Sequence, residues 1–184
     1  MTSAVQVHDV AGTPYCYDES FVPHLGQLAG RVRQLRASGE LSAEVLRRLR
    51  RYFRIKNIYH SNAIEGNQLG IGETRLVVEQ GLTLTGKPLK DQAEARNLSH
   101  ALDFLEELAT DAARSIAEAD VRQIHALVLK GIDDDNAGRY RSVAVEISGS
   151  AYKPPPPEQV GPQIRQFAAW LRTASVPSDI GADV

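Results

Sequence analysis

The stretch Tyr59-His60-Ser61-Asn62-Ala63-Ile64-Glu65-Gly66-Asn67 decides how the rest of this chain is read. A run of helix-compatible residues arrives at Tyr59, carries Ser61 and Glu65, and stops at Gly66. Four positions apart on a helix, a hydroxyl and a carboxylate lie on one face. The last turn of a helix is a poor place for an anion, because the helix dipole leaves negative charge there. A carboxylate set against that gradient points to a cation elsewhere. Taken alone, the plainer reading is a solvated residue at a helix end, with Ser61 as a local cap.

Upstream, Leu25, Leu28, Val32 and Leu35 recur at helical spacing and predict a first helix ending before Gly39. Ser42 caps the next helix and Glu44 sits in its first turn, where the dipole favours an anion. Leu46, Leu49, Phe53 and Ile58 form its expected buried stripe. The opposite face carries Arg47, Arg48, Arg50, Arg51, Arg54 and Lys56. Such a cluster can mark phosphate binding, but no reading helix or interleaved aromatics accompany it. The expectation is a solvated face whose acidic neighbours the fold supplies. Residues 1–19 show no period and are read as an arm packed on the surface or partly loose.

Downstream, Glu73 to Gln80 predicts a short helix closed by Gly81. The segment from Gly81 to Pro88 matches Gly-x-x-x-x-Gly-Lys, yet Pro88 stands where a P-loop needs a hydroxyl for magnesium, and a helix precedes it instead of a strand. It is read as a turn. Pro88 fits the first turn of a helix reaching about Ala109, with Ala95, Leu98, Leu102 and Leu105 inward. Ser115-Ile116-Ala117-Glu118 has the form of a capping box and predicts a helix with Val121, Ile124, Leu127 and Val128 on its core face, ending at Gly131. His125 lies beside that face and is read as a packed, hydrogen-bonded histidine without chemistry. Asp133-Asp134-Asp135-Asn136 is not a calcium loop, because the twelfth position from Asp133 is Ala144 where the EF-hand needs a bidentate Glu. No metal site is expected.

From Tyr140 the period changes to two. Val143, Val145 and Ile147 alternate with Ala144 and Glu146, which predicts a strand. Ser148-Gly149-Ser150 is turn chemistry, and Ala151-Tyr152-Lys153 can return as a second strand. Pro154 to Pro157 force an extended exit. Pro162 then fits the first turn of a last helix bearing Ile164, Phe167, Ala168 and Leu171, and residues 174–184 are polar and unpatterned.

Composition narrows the class. At 184 residues, 42% hydrophobic and 24% charged, the chain fits an ordinary globular domain able to bury a core. A net charge of −2 gives no general attraction to nucleic acid or anionic membrane. A single cysteine, Cys16, and no signal-like N-terminus point to a cytoplasmic, reducing setting. No apolar run is long enough to span a membrane.

The residues Ser61-x-x-x-Glu65-Gly66 resemble the inhibitory helix motif, Ser/Thr-x-x-x-Glu-Gly/Asn, of Fic-domain proteins, which transfer AMP from ATP to protein hydroxyls. Asn67-Gln68-Leu69, Glu73-Thr74-Arg75 and Gly86-Lys87-Pro88-Leu89 resemble the subgroup whose inhibitory helix precedes the core. Gly138-Arg139-Tyr140-Arg141, Val145-x-Ile147-x-Gly149 and the four prolines resemble the segment leading into the family's flap, which borders the nucleotide and takes up a target's backbone by strand addition. The resemblance covers residues from about 20 to about 172. It implies a mainly α, Fic-like helical bundle, incomplete, with one small β-hairpin flap. It also implies an arm at 1–19, a helical region with the inhibitory helix at 20–110, and the start of the core with its flap at 111–184.

The same resemblance assigns inhibitory roles to Ser61, Glu65, Gly66 and Asn67, and nucleotide or target binding to Val145, Ile147, Ser148, Gly149, Ser150 and Ala151. Its cofactors are ATP and magnesium in the complete family protein, with neither expected to bind tightly to this chain alone. Its partner is a protein target bearing a Ser, Thr or Tyr hydroxyl; a homo-oligomer is left open, and neither membrane nor nucleic acid is expected. The family's catalytic signature, His-x-Phe-x-(Asp/Glu)-(Gly/Ala)-Asn-(Gly/Lys)-Arg-x-x-Arg, occurs nowhere in these 184 residues, so no catalytic residue is assigned and the chain alone is expected to be inactive. Three readings follow: the regulatory and flap part of an AMP-transferring enzyme, a non-catalytic antitoxin-like regulator acting in trans on a Fic core, or a helical interaction module using the basic face. The flap residues favour the first, since an inhibitor would not need them.

Overall fold

Helix formation dominates, as the apolar periodicity requires. The computed structural model describes residues 7–9, 16–18, 20–39, 42–111 and 114–173. Among these, the helices are α1 Phe21–Ser38, α2 Ala43–Ile64, α3 Ile71–Glu79, α4 Leu89–Leu108, α5 Glu118–Leu129 and α6 Pro157–Thr173. The chain divides into two compact units, residues 1–49 with 173–184 and residues 50–172.

In the first unit, β1 (Val7–Asp9) pairs antiparallel with β2 (Cys16–Asp18), with Val7 opposite Asp18 and Asp9 opposite Cys16. The sequence reading has no strands there, because three-residue strands are too short to show an alternation. α1 packs on β2, and Ala29 is its buried residue. Leu25, Leu28 and Leu35 of the expected stripe stay exposed, and Val32 is half-buried. α2 starts where Ser42 predicts: the Ser42 hydroxyl accepts from the Val45 N–H at 3.2 Å.

In the second unit, Ile58 of α2, Leu69, Val77 of α3 and Ala95 of α4 form the core, with Val78, Leu84, Leu98 and Leu102 packed against it. α4 is its spine and packs against both α3 and α5. Two buried amides on α4 tie down irregular backbone, as buried polar groups must. The fully buried Gln92 accepts from the Leu84 N–H at 2.7 Å and donates to the carbonyls of Leu84 and Lys87, which fixes the turn before α4. Asn97 donates to the Val128 and Lys130 carbonyls, satisfying groups that the end of α5 leaves open.

Five expectations need correction. The buried stripe of α2 is Ile55 and Ile58, while Leu46, Leu49 and Phe53 are 37%, 40% and 60% exposed, because the core meets only the second half of the helix. Ser115 does not cap α5. The Asp120 carboxylate does, accepting from the Ala117 N–H at 2.9 Å, while Glu118 is drawn instead to the Tyr140 hydroxyl at 2.9 Å. α6 begins at Pro157, earlier than expected, with Pro162 inside it. His125 is hydrogen-bonded but exposed, not packed in a core.

The β-hairpin flap is the fifth. Residues 143–153 contain no strand; the backbone bond within them is a turn from the Ser150 N–H to the Ile147 carbonyl at 3.1 Å. An isolated two-stranded hairpin is marginal in water, and the prolines that follow have no N–H to build a ladder.

Candidate functional site

The end of α2 is built by its glycine. Gly66, at φ +86°, lets the chain reverse so that its N–H reaches the Ala63 carbonyl and the Asn67 N–H reaches the Asn62 carbonyl, both at 3.1 Å. This is the Schellman arrangement, and it satisfies carbonyls the helix end would otherwise leave bare. Glu65 therefore sits on the rim of the last turn. Its side chain is exposed and has no hydrogen-bond or ion-pair partner among the described residues, and Ile64 beside it is 83% exposed. The Ser61 hydroxyl is half-buried and donates back along the helix to Asn57 Oδ1 at 3.1 Å. It is not bonded to the Glu65 carboxylate.

Asn67 pins this turn to the start of α4. Its Nδ2 donates to the Asp91 carbonyl and to Glu94 Oε2, both at 2.9 Å, and its Oδ1 accepts from the Leu69 N–H at 3.0 Å. The buried Asp91 carboxylate accepts from the Gln68 N–H at 2.6 Å. Two residues further, the Gly70 N–H donates to Glu73 at 2.7 Å, and Glu73 pairs with Lys87 at 2.9 Å; the backbone bond first, and Lys87 second, hold its carboxyl below the usual range. The Glu65 turn is thus rigidly placed while its carboxylate stays unengaged.

Among the described residues, four of the five arginines on the basic face of α2 are already engaged, Arg50 being the exception. Arg51 forms a two-pronged pair with Glu79 at 2.5 and 2.7 Å, which pulls the Glu79 carboxyl down. Arg54 reaches the Ser99 carbonyl, Asp103 and Glu106. Arg47 and Arg48 both pair with Glu44, and Lys56 lies 5.2 Å from the Tyr52 ring centre.

The second group of expected residues lies beyond α5. Two side chains one turn apart on α5 hold Gly138 by both main-chain groups: Arg122 Nε donates to its carbonyl at 2.8 Å and His125 Nδ1 accepts from its N–H at 3.1 Å. Gly138 has φ +68°, and a Cβ there would meet Ala126 Cβ and the Arg122 carbonyl at 3.1 Å, so any other residue is strained and crowds its neighbours. Arg122 also lies over the Tyr140 ring. Burial first, and then the bond to Glu118, raise the Tyr140 phenol above its usual value. Arg141 donates to the Val143 carbonyl at 3.0 Å and to the Pro155 carbonyl. Between those points Val145, Ile147, Ser148, Gly149, Ser150 and Ala151 are all exposed. A cleft of about 460 Å³ lies between α5, residues 138–141 and α6, lined by Arg122, His125, Asn136, Arg139, Tyr140 and Ile164 among others.

No hydrogen bond among the described residues joins the group at 61–67 to the group at 145–151. Asp91, Glu94, Asn57 and Arg141 were not singled out as site residues by the sequence. Arg141 had a readable signal: a guanidinium placed before a segment whose exit is proline and therefore short of donors. Asp91 and Glu94 had none, since their role depends on a contact between separate elements.

No family model matches the chain. It is 37% identical over 116 residues to the protein named protein adenylyltransferase Fic of Nematostella vectensis, covering 63% of this chain and 27% of that protein. It is 34% identical over 131 residues to protein adenylyltransferase fic-1 of Caenorhabditis elegans, covering 71% and 25%. Among solved structures, Fic-1 from C. elegans superposes with a TM-score of 0.66 at 28% identity, over 83% of this chain and 44% of that one. The chain belongs to the Fic family.

A Fic-domain signaling protein from Bacteroides thetaiotaomicron matches this Fic chain with a TM-score of 0.70 at 26% identity, over 79% of this chain and 55% of that one. The chain spans about a quarter of the length of the curated relatives it matches. Among the described residues no cluster of three or more His, Cys, Asp or Glu could hold a metal ion, and no helix is long and apolar enough to cross a membrane.

Proposed function

We propose that this Fic chain is the regulatory and flap part of a protein adenylyltransferase, which moves AMP from ATP to a Ser, Thr or Tyr hydroxyl of a protein target in the cytoplasm. The observation that carries the reading is the Glu65 turn. A carboxylate stands unpartnered on a helix rim whose backbone is locked by Gly66 and pinned to α4 by Asn67. A rigidly held free anion is suited to seize a cation that a catalytic core presents. In the Fic pattern that cation is an arginine of the catalytic signature, which holds the γ-phosphate. A two-pronged carboxylate–guanidinium pair would occupy it and repel the phosphate, so ATP would be misaligned for attack. The names of the relatives support the same chemistry.

Among the described residues no cluster of carboxylates, histidines or cysteines stands ready for magnesium. The signature that would hold ATP and magnesium is not in the sequence, so no step of the transfer is assigned to this chain's own side chains. The exposed segment from Val145 to Ala151 serves as the flap, its unpaired main chain available to a target strand.

The test is Glu65→Gly in a form carrying the catalytic signature, assayed by transfer of labelled AMP to protein. Transfer should rise on the order of a hundredfold, the scale on which misplacing a reacting group is felt. Unchanged labelling removes the inhibitory role from Glu65.

A further inference from the structure

The chain leaves the fold after Arg141 and returns at Pro155 across a base that no backbone ladder closes. In a hairpin, the outgoing and incoming strands would satisfy each other's main-chain groups. Here Pro154 to Pro157 have no N–H to offer, and the groups brought together are two carbonyls, those of Val143 and Pro155. Two acceptors repel unless a donor lies between them. A guanidinium presents N–H groups on separate nitrogens in a fixed plane, and Arg141 uses Nη1 for one carbonyl and Nη2 for the other.

Arg141 is itself set by α5. Arg122 and His125 hold Gly138 at both main-chain groups, and Tyr140 is fixed between Arg122 and Glu118. Gly161 at the start of α6 lies against the Tyr140 ring, where a Cβ would approach it to 3.7 Å. A chain of contacts therefore runs from α5 through residues 138–140 to the guanidinium and ends at both feet of the loop. Beyond those feet, only the turn at Ser150 and the bond from the Tyr152 N–H to Ser150 Oγ give residues 144–153 any shape.

We propose that Arg141 is the positioning residue of the 143–155 loop, standing in for the missing rungs of a hairpin and holding the loop's unpaired main chain in one place. That the held segment receives a target rests on the flap reading; that Arg141 holds it does not. The deciding measurement is the distance distribution between spin labels at Gln123→Cys on α5 and Glu146→Cys in the loop, in the 184-residue chain with Cys16→Ser. With Arg141 in place the distribution should be single and narrow. Arg141→Ala should make it roughly twofold broader while the thermal melt and helix content stay put, as expected of local rather than global opening. Arg141→Lys offers one donor group in place of the planar fork and should recover only part of the narrowness. An unchanged distribution in Arg141→Ala overturns the proposal, even if target labelling is later found. So does full recovery by lysine, which would show that charge rather than the two-carbonyl geometry matters. A broadened distribution upholds Arg141 on its own; the flap reading falls only if a form carrying the catalytic signature transfers AMP to itself but labels no target.

Discussion

The turn at Glu65 and the loop at 143–155 are the two segments that carry the functional reading, and they are held by opposite means. The turn follows the one α2 segment that enters the core, Ile55 to Ile58, and is tied by Asn67, Asp91 and the backbone of Gly66. Many independent restraints converge there, so one side chain, Glu65, can be left free without becoming mobile. The loop has no buried residue between Ser142 and Lys153, and its feet rest on one guanidinium. The contrast fits the roles proposed: a brake must be rigid to act, whereas a surface that accepts a target's main chain must keep its own unpaired.

The comparison is most exposed to failure at Ile58, which is fully buried. Ile58→Ala should cost about 2–5 kcal/mol in denaturant unfolding, the range for emptying a packed site of this size. A smaller loss would mean the turn is not anchored by the core.

The two glycines sharpen it further. Gly66 has φ +86° with open space around its Cα, so Gly66→Ala should cost about 1 kcal/mol for the left-handed backbone alone. Gly138→Ala meets the same backbone cost plus a clash with Ala126 and should lose about 2–3 kcal/mol. Equal losses in denaturant melts would show that α5 does not grip Gly138 as the geometry says.

Acid should loosen the two segments unequally. Glu73 and Glu79 lie on α3, the helix that follows the Glu65 turn, and both have depressed carboxyl values in the folded chain, Glu79 first through its bond to Arg51. Their stabilisation is fully present above the unfolded carboxylate range near pH ~4 and is lost as pH falls through the lower folded values. Amide exchange in α3 should accelerate below that range, while exchange in residues 144–152, which no carboxylate bonds, should follow only the intrinsic pH dependence. Parallel acceleration in both would break the distinction.

The smallest effect belongs to Val145, exposed in the loop. Val145→Ser should change stability by less than about 0.5 kcal/mol, as surface substitutions do. A large loss would show that the loop packs on the fold.

The legibility of these regions in the sequence differs for a physical reason. Helix ends carry their own chemistry: Ser42 caps α2, Gly66 reverses it and Gly81 follows α3, each where its residue type placed it. The capping box at Ser115 had the right letters and failed, because Tyr140 draws Glu118 away and Asp120 sets the helix start at Ala117 instead. Val143 to Ile147 had the period of a strand, but the return side turns its Tyr152 N–H to Ser150 and runs into prolines, so the alternation produced an exposed loop.

The sequence by itself determined that the chain is mainly helical, where α2 stops, that Glu65 stands beside that stop, and which family its motifs resemble. These depend on dihedral preferences and spacings within a few residues. The tertiary structure alone decided that Ile55 and Ile58 are the buried face of α2, that Arg51 and Arg54 are already paired with carboxylates of α3 and α4, that Asn67 is fixed by Asp91 and Glu94, and that Arg141 bridges two carbonyls. Those facts depend on which elements meet, and a residue's local neighbours carry no record of partners that lie tens of positions away.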